Sequence, residues 1–156
     1  MKRKIITTAD GSRTIRIEEW DEQYHSLHGA LAESYHVFIK NGLFATNKTD
    51  ISILEMGFGT GLNALITFYE AAKAGLDINY CGIEVFPVAK EEWQALDYAE
   101  TLGSTELKEV FTEMHESAWE IEVSISDHFK LTKTKCDMSG FRKSESFDLI
   151  YFDAFG

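Results

Sequence analysis

The sequence predicts an α/β fold on a mostly parallel sheet, and three observations predict it. From residue 51 onward, short apolar runs alternate with stretches of helical spacing. Where the first run passes into the first helical stretch, three glycines stand at every second position, in GFGTGLN. Two later apolar runs end on acids, Glu84 and Asp153, as strands do when their carboxyl ends face a ligand.

The elements follow in order. KIITTADGSRTIRI (4–17) reads as a hairpin, two β-branched runs joined at Asp10-Gly11. From Leu27 the spacing turns helical through Leu31, Tyr35 and Phe38, and Asn41-Gly42 ends it. Residues 51–56 form a buried strand that contains Glu55. Leu62, Leu65, Ile66, Tyr69 and Ala72 then mark a helix face, with Gly75 as its C-terminal cap.

Residues 78–84 are a second strand. Pro87 suits a helix start, and Ala89, Trp93, Leu96 and Ala99 give that helix one apolar stripe. Gly103-Ser104 ends it and caps a short helix carrying Leu107, Val110, Phe111 and Met114. Trp119 to Ser126 alternates with strand period and turns at Asp127-His128 into FKLTKTKCD, an internal hairpin. After a polar loop, FDLIYF (147–152) is a further buried strand. Residues 1–50 are expected to pack as a hairpin and helix segment on a core formed by residues 51–156.

At 156 residues, 44% of them hydrophobic, the chain has the material for one domain with a real core. No 18-residue apolar run is present and the basic N-terminus lacks a signal-peptide core, so the expected place is the cytoplasm, with no membrane partner. Cys81 and Cys136 are too few for a disulfide framework or zinc site, and both fall in strand-like runs where buried thiols are ordinary. The five histidines form no metal-ligand grouping with them, so no metal is expected. A net charge of −11 argues against broad phosphate-backbone binding. Lys130, Lys133 and Lys135 are expected along one face of a strand, as a solvated face.

A strand, a run of alternating glycines and a helix solve one problem. The chain turns sharply, a ligand approaches bare backbone, and helix N-terminal amides face it. Dinucleotide sites use G-x-G-x-x-G. Here Glu55 precedes G-x-G-x-G (Gly57, Gly59, Gly61), the shape of the first motif of class I S-adenosylmethionine (SAM) methyltransferases, which have a Rossmann-like fold. SAM has no pyrophosphate, so acids serve it: one carboxylate for its ammonium, and Glu84 for its ribose hydroxyls. Asp137, ending a third strand, is a candidate for the adenine amino group. Asp153 stands at the position where class I methyltransferases, which this motif resembles, place a catalytic or substrate-orienting group.

DEQYHSLHGALAESYHVFIKNG, LEMGFGTGLNAL, GIEVFP and YFDAF together resemble the tRNA 5-methylaminomethyl-2-thiouridine methyltransferase family, over most of residues 14–156. The resemblance implies SAM-dependent methylation of the amino nitrogen of 5-aminomethyl(-2-thio)uridine at the tRNA wobble position. In relatives the domain stands alone or is fused to an FAD-dependent oxidase, a possible partner. Glu55, Gly57, Gly59, Gly61, Asn63 and Glu84 carry over as cofactor contacts, and Asp153 as the group that meets the amine. Tyr24, Ser26 and Glu33 match the upstream segment and are expected near the pocket.

The family continues past this Asp-Ala-Phe with further sheet elements, so the chain reads as a C-terminally truncated form with FDLIYF at an open edge. Two alternatives stay open. One is a SAM methyltransferase of a small molecule or protein, which the −11 charge favours. The other is a non-catalytic nucleotide-binding module.

Overall fold

In the computed structural model, residues 2–17, 22–23, 29–142 and 146–153 are described. The expected N-terminal hairpin forms as β1 (Arg3–Thr7) and β2 (Arg13–Ile17), antiparallel, and β3 (Glu22–Gln23) adds a short third strand. Its tip reaches further than a turn needs to. One Asp10 oxygen accepts from the Thr8 and Ser12 hydroxyls and the Ser12 amide. The other accepts from the Leu31 and Ala32 amides at 3.1 and 3.3 Å, which caps helix α1 (Ala30–Ser34) from a distant segment. These bonds hold the Asp10 carboxyl down at about 2, against the opposing effect of burial.

Of the helix expected from Leu27, residues 27 and 28 lie outside the described residues, and the helix begins at Ala30, after Gly29 in a non-helical conformation. From Tyr35 to Lys40 it widens into a π-helix, which turns both Phe38 and Ile39 inward. A 3₁₀ turn at Leu43–Ala45 leads to β4 (Asp50–Met56).

Strand β4 lies between β5 (Asp77–Ile83) and β8 (Leu149–Phe152), parallel to both. Outside β5 lies β7 (Phe129–Thr134), also parallel, and β6 (Glu122–Ser126) closes that edge antiparallel. The order is β6-β7-β5-β4-β8. The chain leaves β4 toward β5 and later returns to its other side as β8. The crevice at the carboxyl end of β4 is thus the topological switch point of the sheet.

Helix α2 (Leu62–Ala74) connects β4 to β5 and ends at Gly75 in the left-handed conformation, as expected. Leu62, Leu65 and Ile66 are buried, but the inward alanine of the next turn is Ala71 and Ala72 faces out. One sheet face, with Ile51, Ile53, Tyr80, Phe129, Leu131 and Tyr151, carries the main core under α2 and the N-terminal helical segment. On the opposite face of β8, Ile150 and Phe152 are exposed, and among the described strands β8 pairs with β4 alone.

Several details differ from expectation. Pro87 does not start a helix: α3 (Lys90–Gln94) begins after Ala89, whose amide is capped by the Glu92 carboxylate at 2.8 Å. The stripe from Ala89 to Ala99 is not one helix, because the chain breaks at Leu96-Asp97 and restarts as α4 (Tyr98–Thr101). Helix α5 (Glu106–Glu116) follows Thr105 rather than Ser104. Trp119 makes only an isolated bridge to Lys133, and Glu120 takes a positive φ of 66°, so strand β6 starts at Glu122. Cys136 and Asp137 lie beyond the end of β7.

The three lysines do not share a face. Strand period puts Lys130 and Lys133 on opposite sides. Lys130 and Lys135 are exposed, whereas Lys133 is 1% exposed.

Candidate functional site

The glycine loop is pinned before it turns. Gly57 and Phe58 both donate to the Ile83 carbonyl at the end of β5, at 3.0 and 2.9 Å, and Gly61 donates to Phe58. Gly57, Gly59 and Gly61 have φ of 91°, 53° and 77°, a run of positive values that side-chain-bearing residues resist. Gly61 also ends against a side chain. A Cβ there would stand 3.0 Å from His115 Nε2. Gly82 on β5 serves the same packing, because a Cβ on it would strike the Phe58 ring at 2.5 Å.

Glu84 leaves β5 and turns back to the loop. Its carboxylate accepts from the Gly59 amide at 2.8 Å and from the Phe86 amide at 2.9 Å. The predicted ribose acid thus ties the glycine loop to the turn after β5. From outside, Arg3 braces that same turn through the Phe86 and Pro87 carbonyls and the Glu92 carboxylate.

Glu55 is fully buried, directly opposite Tyr151 on β8 and Gly82 on β5. Asn63 and Tyr80 lean toward its carboxylate. Neither reaches hydrogen-bonding distance and angle, so both Glu55 oxygens and the Tyr80 hydroxyl stand without a partner. Burial raises the Glu55 carboxyl well above the usual carboxylate value, and the charges of Asp153 and Glu84 raise it further. A buried acid in this state gains from any cation that comes to rest against it.

Asp153 leaves β8 beside Glu55, its amide donating to the Met56 carbonyl at 3.0 Å. Its Oδ2 accepts from Asn63 Nδ2 at 2.9 Å, and Asn63 Oδ1 accepts from the Ser34 hydroxyl at 2.7 Å. Burial raises the Asp153 carboxyl to about 7. The Asn63 bond pulls it down and the nearby Glu33 charge pushes it up. Glu33 is itself exposed on α1. Tyr24 and Ser26 lie outside the described residues.

Asp137 is spent locally. Its Oδ1 accepts from the Ser139 hydroxyl at 2.7 Å and the Gly140 amide at 2.6 Å in its own turn. Among the described residues no group of three His, Cys, Asp or Glu side chains could hold a metal ion, and no helix is long and apolar enough to cross a membrane.

His115 was missed by sequence reasoning. From α5 its Nε2 meets the Thr60 carbonyl inside the glycine loop at 2.9 Å, and its ring stacks on Trp93 at 4.8 Å. A carbonyl accepts only, so Nε2 carries the proton. Burial lowers His115 to about 4, which keeps it neutral. Lys133 donates to the His115 carbonyl at 2.8 Å and lies over the Trp119 ring, anchoring the last turn of α5. Burial lowers Lys133 to about 8. No local motif marks either residue, because the hydrogen-bond partners, Thr60 for the His115 ring and the His115 carbonyl for Lys133, are 55 and 18 positions away.

No family model matches the chain. It is 40% identical over 83 residues to a tRNA 5-methylaminomethyl-2-thiouridine biosynthesis bifunctional protein MnmC from Leptospira interrogans, a match covering 48% of this chain and 13% of that protein. It is 39% identical over 94 residues to the protein of the same name from Burkholderia mallei, covering 56% and 14%. The chain spans about one seventh of the length of these curated relatives. Among solved structures it is similar to MnmC2 from Aquifex aeolicus, with a TM-score of 0.75 and 22% identity, over 99% of this chain and 50% of that one. The fold is the Rossmann-like α/β fold that the sequence predicts, and the resemblance read from the motifs is borne out by relatives from several species.

Proposed function

We propose that this relative of the MnmC family is a SAM-dependent methyltransferase of the cytoplasm, acting on the amino nitrogen of 5-aminomethyl(-2-thio)uridine at the wobble position of tRNA. The observation that carries the reading is the unpartnered, fully buried Glu55 carboxylate, beside Asp153 at the mouth of the glycine loop. Carboxylates crowded at a switch point suit a cation, and both SAM and an amine substrate supply one.

The residues present fit the cofactor. Glu55 would meet the ammonium, Glu84 the ribose hydroxyls, and the bare backbone at Gly57, Gly59 and Gly61 allows close approach. When bound, SAM supplies an electrophilic methyl carbon. Asp153 orients the substrate amine and receives its proton, and a carboxyl held near 7 is matched to that task at neutral pH. Positioning does the rest, since an in-line displacement needs the amine lone pair aimed at the methyl carbon.

The net charge of −11 favours a second reading, the same chemistry on a small molecule or protein. Calorimetry with SAM and with S-adenosylhomocysteine tests the cofactor. Transfer of radiolabelled methyl to tRNA bearing the aminomethyl group tests the substrate. SAM binding without methyl transfer to that tRNA would favour the second reading, and no SAM binding would remove both.

A further inference from the structure

We propose that Ser34 is a positioning residue for Asp153, acting through the side-chain amide of Asn63. Its chemical consequence rests on the reading above, in which Asp153 receives the proton of the substrate amine.

Ser34 stands on the last turn of α1 and is 1% exposed, and its hydroxyl donates to Asn63 Oδ1 at 2.7 Å across 29 residues of sequence. Asn63 is 2% exposed on the first turn of α2, and its Nδ2 donates to Asp153 Oδ2 at 2.9 Å. An amide has two ends of opposite character. With its oxygen committed to a donor, its amino group must face Asp153, and an amino group favours the ionised carboxylate. In the reversed orientation the amide oxygen would face Asp153, a contact that only the protonated acid can make. In the observed orientation the Ser34 hydroxyl donates to the amide oxygen, which polarises the amide and strengthens the bond its amino group gives to the ionised Asp153, without Ser34 touching Asp153 itself.

The bias works against its surroundings. Facing Asp153 are Glu33 from α1, Glu55 from β4, Tyr80 from β5 and Tyr98 from α4. Burial resists ionisation of Asp153 most, and the Glu33 charge resists it further. The Asn63 bond pulls the other way, so the group that orients Asn63 controls that opposition. Asp10 extends the arrangement, because its cap on the Leu31 and Ala32 amides fixes the helix from which Ser34 reaches inward.

The experiment reads the carboxyl directly. The full chain is labelled with ¹³C at aspartate carboxyls and titrated by NMR, and the Asp153 signal is assigned by its loss in Asp153→Asn. The parent midpoint should lie near 7. Ser34→Ala should raise it by about one pH unit, the size expected for loss of one oriented hydrogen bond to a charge. Ser34→Thr, which keeps the hydroxyl, should restore the parent value. Ser34→Gly, also lacking the hydroxyl, should behave as Ser34→Ala and guards against a packing artefact of either variant.

A folded Ser34→Ala whose midpoint equals the parent's overturns the proposal, even if its melting temperature falls, because that outcome is what a merely structural serine gives. Calorimetry with SAM on the same samples keeps the two readings apart. Absent SAM binding with a shifted midpoint removes the proposed function and leaves the positioning role. Intact binding with an unshifted midpoint does the reverse.

Discussion

Strands β4, β5 and β8 carry acids at both ends, and the carboxyl end satisfies Glu84 through the Gly59 and Phe86 amides but leaves Glu55 and Asp153 under strain. At the amino end, Asp148 just before β8 takes an ion pair from Lys48 and the Ser52 amide at 2.9 Å. These bonds lower its carboxyl below the usual value. Asp77, the first residue of β5, meets His128 at 2.6 Å and raises that exposed imidazole. At the carboxyl end, Glu55 has no partner and Asp153 is held near 7. Acids that serve the fold are satisfied by it. Acids held above their ordinary value by burial and by one another are a cost the fold carries for something else, and perturbed groups in a crevice are the usual mark of a functional site.

The comparison can be broken most decisively at the loop. Gly59→Val should abolish SAM binding in calorimetry, because a β-branched residue resists φ of 53° and fills space the ligand would need. Unchanged affinity would take the glycine loop out of the site.

Asp153→Asn should cut turnover by ~100- to 10,000-fold while SAM affinity hardly changes. Higher pH should rescue part of it by deprotonating the amine in solution. Near-parent turnover at neutral pH would leave Asp153 as a strand-end acid, no different in kind from Asp148.

Glu84→Gln removes the charge proposed to meet the ribose hydroxyls and also leaves the Gly59 or Phe86 amide without its acceptor. Loss of about 1.5–3 kcal/mol is expected, which weakens SAM binding on the order of tenfold to a hundredfold. A variant that binds SAM as tightly as the parent moves ribose recognition elsewhere.

Stability against pH sharpens the contrast without any ligand. A carboxyl raised from 3.8 to about 7 binds more protons when folded, so its contribution is fully present below 3.8 and lost as pH rises through 7. Thermal melts of the parent and Asp153→Asn should therefore diverge in favour of the variant between about pH 4 and 7, and run parallel above 7. Parallel curves throughout would mean Asp153 carries no such strain. His115 acts oppositely: lowered from 6.5 to about 4, its contribution is lost as pH falls across that window.

The smallest effect belongs to the amino end. Asp148→Asn should lower the melting temperature slightly and leave SAM affinity and turnover unchanged, as expected for an exposed pair. A tenfold loss of SAM affinity there would end the distinction between the two ends.

The sequence by itself determined what short-range rules control. Strand and helix alternation, the glycine loop at the end of β4 and the acids ending β5 and β8 all follow from period and from residue types a few positions apart. Some short-range readings still erred. Pro87, the break at Leu96-Asp97 and the placing of Lys133 among exposed lysines turned on where each segment packs. Only the tertiary structure decided which polar groups meet. Asp10 caps α1 across 21 residues, Ser34 orients Asn63 across 29, His115 meets Thr60 across 55 and Asn63 meets Asp153 across 90. The physical reason is that these bonds depend on how crossovers bring separate elements to one edge of a sheet. No local preference encodes such a meeting, and a serine, a histidine or an asparagine in a helix looks alike in sequence whether or not it reaches a site.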